Sequence, residues 1–353
     1  MLQSLFLFFT VAGVPIAIAM SGASLIYVII GGNLPPFVVV HRMISGVDSF
    51  PLLAVPFFIL AGNLMNNAGI TNRIFEMATS LVGWLRGGLG HVNVVASIIF
   101  SGMSGTAIAD AAGLGTVEIK AMKDQGYPLE FAVGVTAASA TLGPIIPPSL
   151  PIVIYAMLAN VSVGGMFLAG IVPGLLIATL IMLTVSYFAW KNQWGGDVSF
   201  NKKLFTKGLL EITIVVGWPL LTWLFIKLGA PPRTTIFLGL MTLFLADWWF
   251  KFTAVMPMMT PILLIGGMTV GLFTPTEGAI AACIWALVLG LFWYKTLSLR
   301  QFVRISIETV ETTAIVMFIV AASSIFSWML TAEGITADIA SWILGVTEEP
   351  WLF

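Results

Sequence analysis

Residues 100–115 read Phe-Ser-Gly-Met-Ser-Gly-Thr-Ala-Ile-Ala-Asp-Ala-Ala-Gly-Leu-Gly, and residues 142–149 read Leu-Gly-Pro-Ile-Ile-Pro-Pro-Ser. The first stretch gathers hydroxyls and turn carbonyls on Ser101, Gly102, Ser104, Gly105 and Thr106. In the second, prolines remove helical hydrogen bonds, so Gly143, Pro144, Pro147, Pro148 and Ser149 sit where carbonyl oxygens are released from pairing. Oxygen dipoles of this kind hold hard cations such as sodium, and helix starts beside them offer partial positive charge to a carboxylate. Ser101, Gly102, Ser104, Gly105, Gly143, Pro144 and Pro147 are therefore the candidate sodium ligands. Thr106, Asp110 and Ser149 are candidates for the substrate side of the same site. The competing reading, that small residues here only let helices pack closely, suits one small-residue motif better than two polar breaks with prolines.

Both stretches interrupt long apolar runs. Of the 353 residues 59% are hydrophobic and 9% charged, where soluble domains carry roughly 25% charged residues. The chain reads as an all-α polytopic membrane protein in contact with a lipid bilayer. Lipid cannot satisfy open backbone, so non-helical backbone at membrane depth is expected only where protein covers it or a cavity receives it. Two such breaks close in sequence point to a transporter's binding site near the bilayer midplane. A net charge of −1 argues against nucleic acid as a partner. The single cysteine, Cys283, excludes an intramolecular disulfide and reads as a packing residue. No cofactor is expected beyond a coupling sodium ion.

Spans are expected at 4–30, 50–65, 131–160, 166–190, 209–228, 235–250, 253–273, 277–294 and 305–330. Residues 74–87 mix charged and apolar positions as an amphipathic interfacial helix does, and 90–119 reads as a re-entrant helical hairpin with its tip at 101–105. Trp84, Trp190, Trp194, Trp248, Trp249, Trp293 and Tyr294 stand at segment ends, as in interfacial aromatic belts. Placing the densest basic cluster, Lys191, Lys202, Lys203 and Lys207, in the cytoplasm puts most other Lys and Arg there too, and the N-terminus with them. Only Arg42, Lys227 and Arg233 fall outside. Asp110, one turn past the hairpin tip, is an intramembrane acid, a class usually functional, with capping of or bonding to the hairpin loop as the competing reading to direct ion coordination. Glu277 at a helix start reads as a dipole-stabilising carboxylate, and Asn63 and Asn93 as polar packing groups.

A shift of 260 positions superposes Gly13-Val14-Pro15 on Phe273-Thr274-Pro275 and the run 51–64 on 311–324. In the charge-derived topology the paired helices run in opposite directions, an inverted repeat. The same shift would start a second hairpin near residue 350, and the chain stops at Trp351-Leu352-Phe353, so a C-terminal hairpin is expected to be missing from this sequence. A different class is open in principle. Gly102-Met103-Ser104-Gly105 resembles the serine motif of rhomboid intramembrane proteases, but such chemistry needs a histidine within reach of Ser104, and only His41 and His91 exist. A purely structural membrane subunit is the third class.

Residues 101–115, Gly143-Pro144-Ile145-Ile146-Pro147-Pro148-Ser149, Phe273-Thr274-Pro275-Thr276-Glu277 and Pro56-Phe57-Phe58-Ile59-Leu60-Ala61-Gly62-Asn63-Leu64-Met65 together resemble the large membrane subunit of TRAP (tripartite ATP-independent periplasmic) transporters. The resemblance runs over nearly the whole chain. It implies a sodium-driven elevator-type fold, not an enzyme, in the bacterial inner membrane. It also implies a small four-helix membrane subunit and a periplasmic substrate-binding protein as partners, and an organic acid as substrate. A stand-alone sodium/carboxylate symporter of similar architecture is the alternative. On this reading 1–87 holds first-repeat scaffold helices with the interfacial arm, 88–160 half of the transport domain, 161–250 scaffold and linking helices, and 251–353 the first part of the second repeat. Two departures stand out. Residues 211–250 add two helices to the family pattern, and these are expected to belong to the scaffold. The missing second hairpin would carry the other half of the site, so this sequence alone should not transport.

Overall fold

Proline and glycine decide where the apolar runs stop being helix. The computed structural model describes residues 1–31, 34–159, 161–229, 231–250, 252, 254–269 and 273–346. Among these every regular element is helical, apart from one isolated bridge between Arg86 and Gly196. The chain separates into two compact units, residues 1–52 with 310–353 and residues 53–309.

The first unit begins with α1 (Leu2–Val11) and α2 (Ile16–Gly31). The single span expected over 4–30 is thus broken: Gly13 takes φ +80°, the Val14 N–H turns back to the Phe9 carbonyl at 3.0 Å, and Pro15 cannot continue a helix. The segment carrying Arg42, read as an outer loop, instead folds as α3 (Phe37–Val47), and the Arg42 guanidinium lies 4.6 Å above the Trp328 ring. Gly46 lets α3 press on Ser324; a Cβ there would stand within 2.3 Å of the Ser324 hydroxyl.

The second unit opens with a 3-10 turn (Phe50–Leu53 at its edge) leading into α4 (Ala54–Asn67), then α5 (Ile70–Val82), which packs on the following helix. The amphipathic segment expected over 74–87 therefore starts four residues earlier and closes at Gly83. Its Ile70, Ile74, Met77 and Ala78 are buried in protein. The hairpin follows as α6 (Gly88–Ser104) and α7 (Ala107–Asp124), and the broken helix as α8 (Leu129–Ala140) and α9 (Leu150–Leu158). Next come α10 (Val163–Lys191), α11 (Lys202–Lys227), α12 (Pro232–Phe250) and α13 (Val255–Thr269). Lys202, Lys203 and Lys207, read as loop residues, form the first turns of α11 behind an Asn201 N-cap. Helix α14 (Pro275–Leu287) continues as a π-helical turn over Val288–Trp293. Helix α15 (Leu299–Ala332) enters the first unit, which ends with α16 (Ile335–Val346). The C-terminal run at 351–353 lies outside the described residues, as does Lys251.

Among the described residues, four helices are long and apolar enough to cross a membrane: Val163–Lys191, Lys202–Lys227, Pro275–Trp293 and Leu299–Ala332. The other apolar helices among the described residues are shorter, 10–17 residues each. The sequence shift of 260 has a structural echo. It maps Ala23 onto Cys283 and Gly62 onto Ala322. In one unit Ala17 and Met20 of α2 pack with Ala322 of α15. In the other, α14 packs on α4, with the Cys283 thiol donating to the Phe57 carbonyl at 3.0 Å.

Candidate functional site

The hairpin tip is a two-residue link. Gly105 closes α6 in the left-handed region at φ +62°, and its N–H donates to the Ser101 carbonyl at 3.1 Å. Thr106 is extended and caps α7, its hydroxyl accepting from the Ala109 N–H at 3.2 Å. The break between α8 and α9 is built in the same way: Ser149 caps α9 through the Ile152 N–H at 3.3 Å, and its hydroxyl donates to the Pro144 carbonyl at 2.5 Å. The Pro147–Pro148 peptide is cis.

These two links interlock. The Leu150 N–H donates to the Gly105 carbonyl at 3.1 Å. A Cβ on Gly143 would stand 2.8 Å from the Thr106 carbonyl, and one on Gly105 would stand 2.6 Å from the Pro148 oxygen. Gly102 faces Pro261 of α13, with the Pro147 oxygen 3.7 Å from the same point. Gly62 of α4 meets the Ser104 backbone at 3.3 Å. The candidate sodium ligands Ser101, Gly102, Ser104, Gly105, Gly143, Pro144 and Pro147 are thus one contact cluster, closed by α4 and α13.

Hydrogen bonding inside this cluster is incomplete in one respect. The Ser101 and Ser104 hydroxyls are buried and take no partner among the described residues. Among the described residues no backbone N–H bonds the carbonyls of Ile146, Pro147 or Pro148. Buried polar groups are nearly always satisfied, so grouped orphans mark a place for a polar guest. Hydroxyl oxygens and proline carbonyls are donors suited to a hard cation. The substrate-side candidates differ among themselves. The Thr106 and Ser149 hydroxyls both serve as caps, whereas Asp110, buried beside Ser97, keeps one carboxylate oxygen without a partner.

Asn63 donates to the Thr309 hydroxyl at 3.0 Å, as a polar packing group does. Asn93 does more. Its amide donates to Glu118 at 2.6 Å and to the Thr136 hydroxyl at 2.7 Å, and its oxygen accepts from Ser139 at 2.6 Å, tying α6, α7 and α8 together. Glu277 forms a capping box with Thr274. Glu118, Thr136, Ser139, Pro261 and Asn66, whose amide donates to the Ala109 carbonyl at 3.2 Å, were not singled out in the sequence. Thr260-Pro261 inside an apolar run repeats the signature of residues 142–149 and was the one available signal. The protease geometry does not form: His91 and Ser104 lie on one helix 13 residues apart, about 20 Å by helical rise, and the His91 ring pairs with Ser186 at 3.3 Å.

Over residues 4–353 the sequence matches the family model described as the tripartite ATP-independent periplasmic transporter, DctM component. It is 40% identical over 339 residues to the sialic acid TRAP transporter large permease protein SiaM of Vibrio cholerae, an alignment covering 96% of this chain and 70% of that protein. It is 37% identical over 338 residues to the sialic acid TRAP transporter permease protein SiaT of Haemophilus influenzae, covering 96% of this chain and 48% of that one. It is 30% identical over 355 residues to the C4-dicarboxylate TRAP transporter large permease protein DctM of Rhodobacter capsulatus, at 97% and 71%. The chain thus spans about half the length of SiaT and 70% of SiaM.

Proposed function

Because the chain belongs to the DctM large-permease family of tripartite ATP-independent periplasmic transporters, which are transporter subunits and not enzymes, we propose that it imports an organic acid by sodium-coupled transport. One observation carries this reading. The tip of the α6–α7 hairpin and the α8–α9 break interlock around buried serine hydroxyls and the Pro147 and Pro148 carbonyls, which take no partner among the described residues. A sodium ion held there would sit between two links that must separate or slide together. Cation binding would then favour one arrangement of the hairpin over another, and differential affinity is the only means by which a ligand shifts such an equilibrium.

The hairpin and broken helix, 88–160, form the moving half in this proposal, and residues 161–250 the scaffold, giving an inverted-repeat elevator. The repeated helix pairing supports the repeat, and the distribution of Lys and Arg supports a cytoplasmic N-terminus in a bacterial inner membrane. The partners are a small four-helix membrane subunit and a periplasmic substrate-binding protein that delivers the acid. Sialic acid is the first substrate to test, since SiaM and SiaT carry that name.

The test is uptake. The intact protein, reconstituted with its small subunit in liposomes, should accumulate the acid only with an inward sodium gradient and added binding protein. Accumulation of free acid without the binding protein, at similar concentration, would make it a stand-alone symporter. Accumulation without sodium would remove the coupling.

A further inference from the structure

A cleft of about 670 Å³ opens where α10 ends, lined by Arg86, Trp190, Lys191, Gln193, Trp194 and Gly195. We propose that it seats the phosphate-bearing headgroup of an anionic phospholipid. The proposal goes beyond the transport reading and needs only that α10 crosses the membrane.

Helix α10 is the most apolar of the long helices and most of its apolar stretch is exposed, so it faces lipid along most of its length. Its last turn therefore emerges at headgroup depth. Two cationic side chains meet there, Arg86 from the segment before α6 and Lys191 from the end of α10, and none of the lining side chains is acidic. The indoles belong to the same depth: Trp190 is 70% exposed, where an apolar ring with a polar N–H suits the interface.

The cleft is also preformed. The Gly87 N–H donates to the Gly195 carbonyl at 2.9 Å, and Arg86 pairs with Gly196 in an antiparallel bridge. The Trp194 N–H returns to the Ala189 carbonyl at 2.9 Å, and its ring lies 4.7 Å from both Tyr127 and Phe131. The adjacent acid, Asp197, does not line the cleft. One of its oxygens accepts from the Leu89 N–H and from the Tyr127 hydroxyl, each at 2.6 Å. A pair of cations flanked by indoles at headgroup depth favours a headgroup of net negative charge over a zwitterionic one.

Native mass spectrometry of the intact protein, exposed to phosphatidylglycerol or phosphatidylcholine in neutral detergent, tests this. The wild type should retain one phosphatidylglycerol about tenfold more tightly than phosphatidylcholine, and Arg86→Gln with Lys191→Gln should abolish that preference. A control pair, Lys202→Gln with Lys203→Gln on the exposed start of α11, should keep it. Lys191→Arg should also keep it, which separates charge from any effect on folding. Three results would overturn the proposal: a preference that survives the Arg86/Lys191 pair, one that falls equally in the control pair, or displacement of the lipid by millimolar inorganic phosphate, which would mark a free-anion site.

Discussion

The Leu150 N–H donates across 3.1 Å to the carbonyl of Gly105, so the first residue of α9 is fastened to the left-handed residue that ends α6. Two chain breaks that each leave open backbone thus satisfy part of it on each other. The arrangement requires glycine at the contact. Gly143→Ala would drive a Cβ to 2.8 Å from the Thr106 backbone, and Gly105→Ala adds an unfavourable φ to a 2.6 Å clash. Each should cost about 1–3 kcal/mol. Gly134→Ala on α8, where a Cβ meets nothing within 4 Å, should be neutral or slightly stabilising. Thermal unfolding of the purified variants measures all three, and equal midpoints for Gly143→Ala and Gly134→Ala would contradict the interlock.

The serine hydroxyls at the tip behave differently from an ordinary buried polar group, because nothing among the described residues loses a partner when they go. Ser104→Ala and Ser101→Ala should therefore leave the unfolding midpoint unchanged or slightly raised. Their effect belongs in sodium dependence. Loss of one oxygen ligand should raise the half-saturating sodium concentration of uptake by about tenfold, a contact worth about 1.4 kcal/mol. Unchanged sodium dependence in both variants would place the coupling ion elsewhere.

The hairpin, the helix break and the helix start marked by Glu277 are legible in the sequence because each is local. Glycine, serine and proline announce a break wherever they stand inside an apolar run, and a capping box occupies four consecutive residues. Asn93 was legible only as a polar group. Its partners Glu118, Thr136 and Ser139 lie 25, 43 and 46 residues away, and helix pairing sets such distances. Pro261 reaches the site from a helix more than a hundred residues downstream. The break at Gly13–Pro15 was missed because the flanking apolar residues outweighed two punctuating ones, and α3 was missed because His41, Arg42 and Ser45 made an amphipathic helix resemble a loop.

The Asn93 network carries a stability prediction. Asn93→Ala takes the amide from Glu118 Oε2 and Thr136 and leaves the Ser139 hydroxyl without its acceptor amide oxygen, all in buried surroundings. It should destabilise by about 3 kcal/mol, since each orphaned buried group costs about 1–3 kcal/mol. Adding Glu118→Leu, which removes the orphaned buried carboxyl altogether, should recover part of the loss. A double variant no more stable than Asn93→Ala would show that the carboxylate is not what the amide serves.

Membrane orientation is open to direct test. Ser199 is exposed in the connection between α10 and α11, and the Lys and Arg distribution assigns this connection to the cytoplasm. In a Cys283→Ala background, Ser199→Cys should resist an impermeant thiol reagent in intact cells and react after permeabilisation. In the parent protein, where Cys283 is buried, neither condition should give labelling. Labelling of Ser199→Cys from outside intact cells would reverse the topology.

Tyr127 gives the foot of the hairpin a pH signature. It lies in the turn between α7 and α8, and its hydroxyl donates to Asp197, which also receives the Leu89 N–H at the start of α6. Burial, the hydrogen bond to Asp197 and the negative charge there all push the phenol well above its ordinary value of 10.0. Ionised, it would lose a donor and face a carboxylate. The folded state therefore holds this proton more tightly than the unfolded chain. The contribution is complete below about pH 10, the unfolded value, and declines as pH rises above it. Tyr127→Phe should lower stability by about 1–2 kcal/mol at neutral pH, through the lost hydrogen bond to a charged acceptor. The same variant should flatten the decline above pH 10, so the two stability curves converge at high pH. Unfolding midpoints measured from pH 7 to 11 decide the matter, and a constant gap across that range would show that the phenol does not release its proton on unfolding.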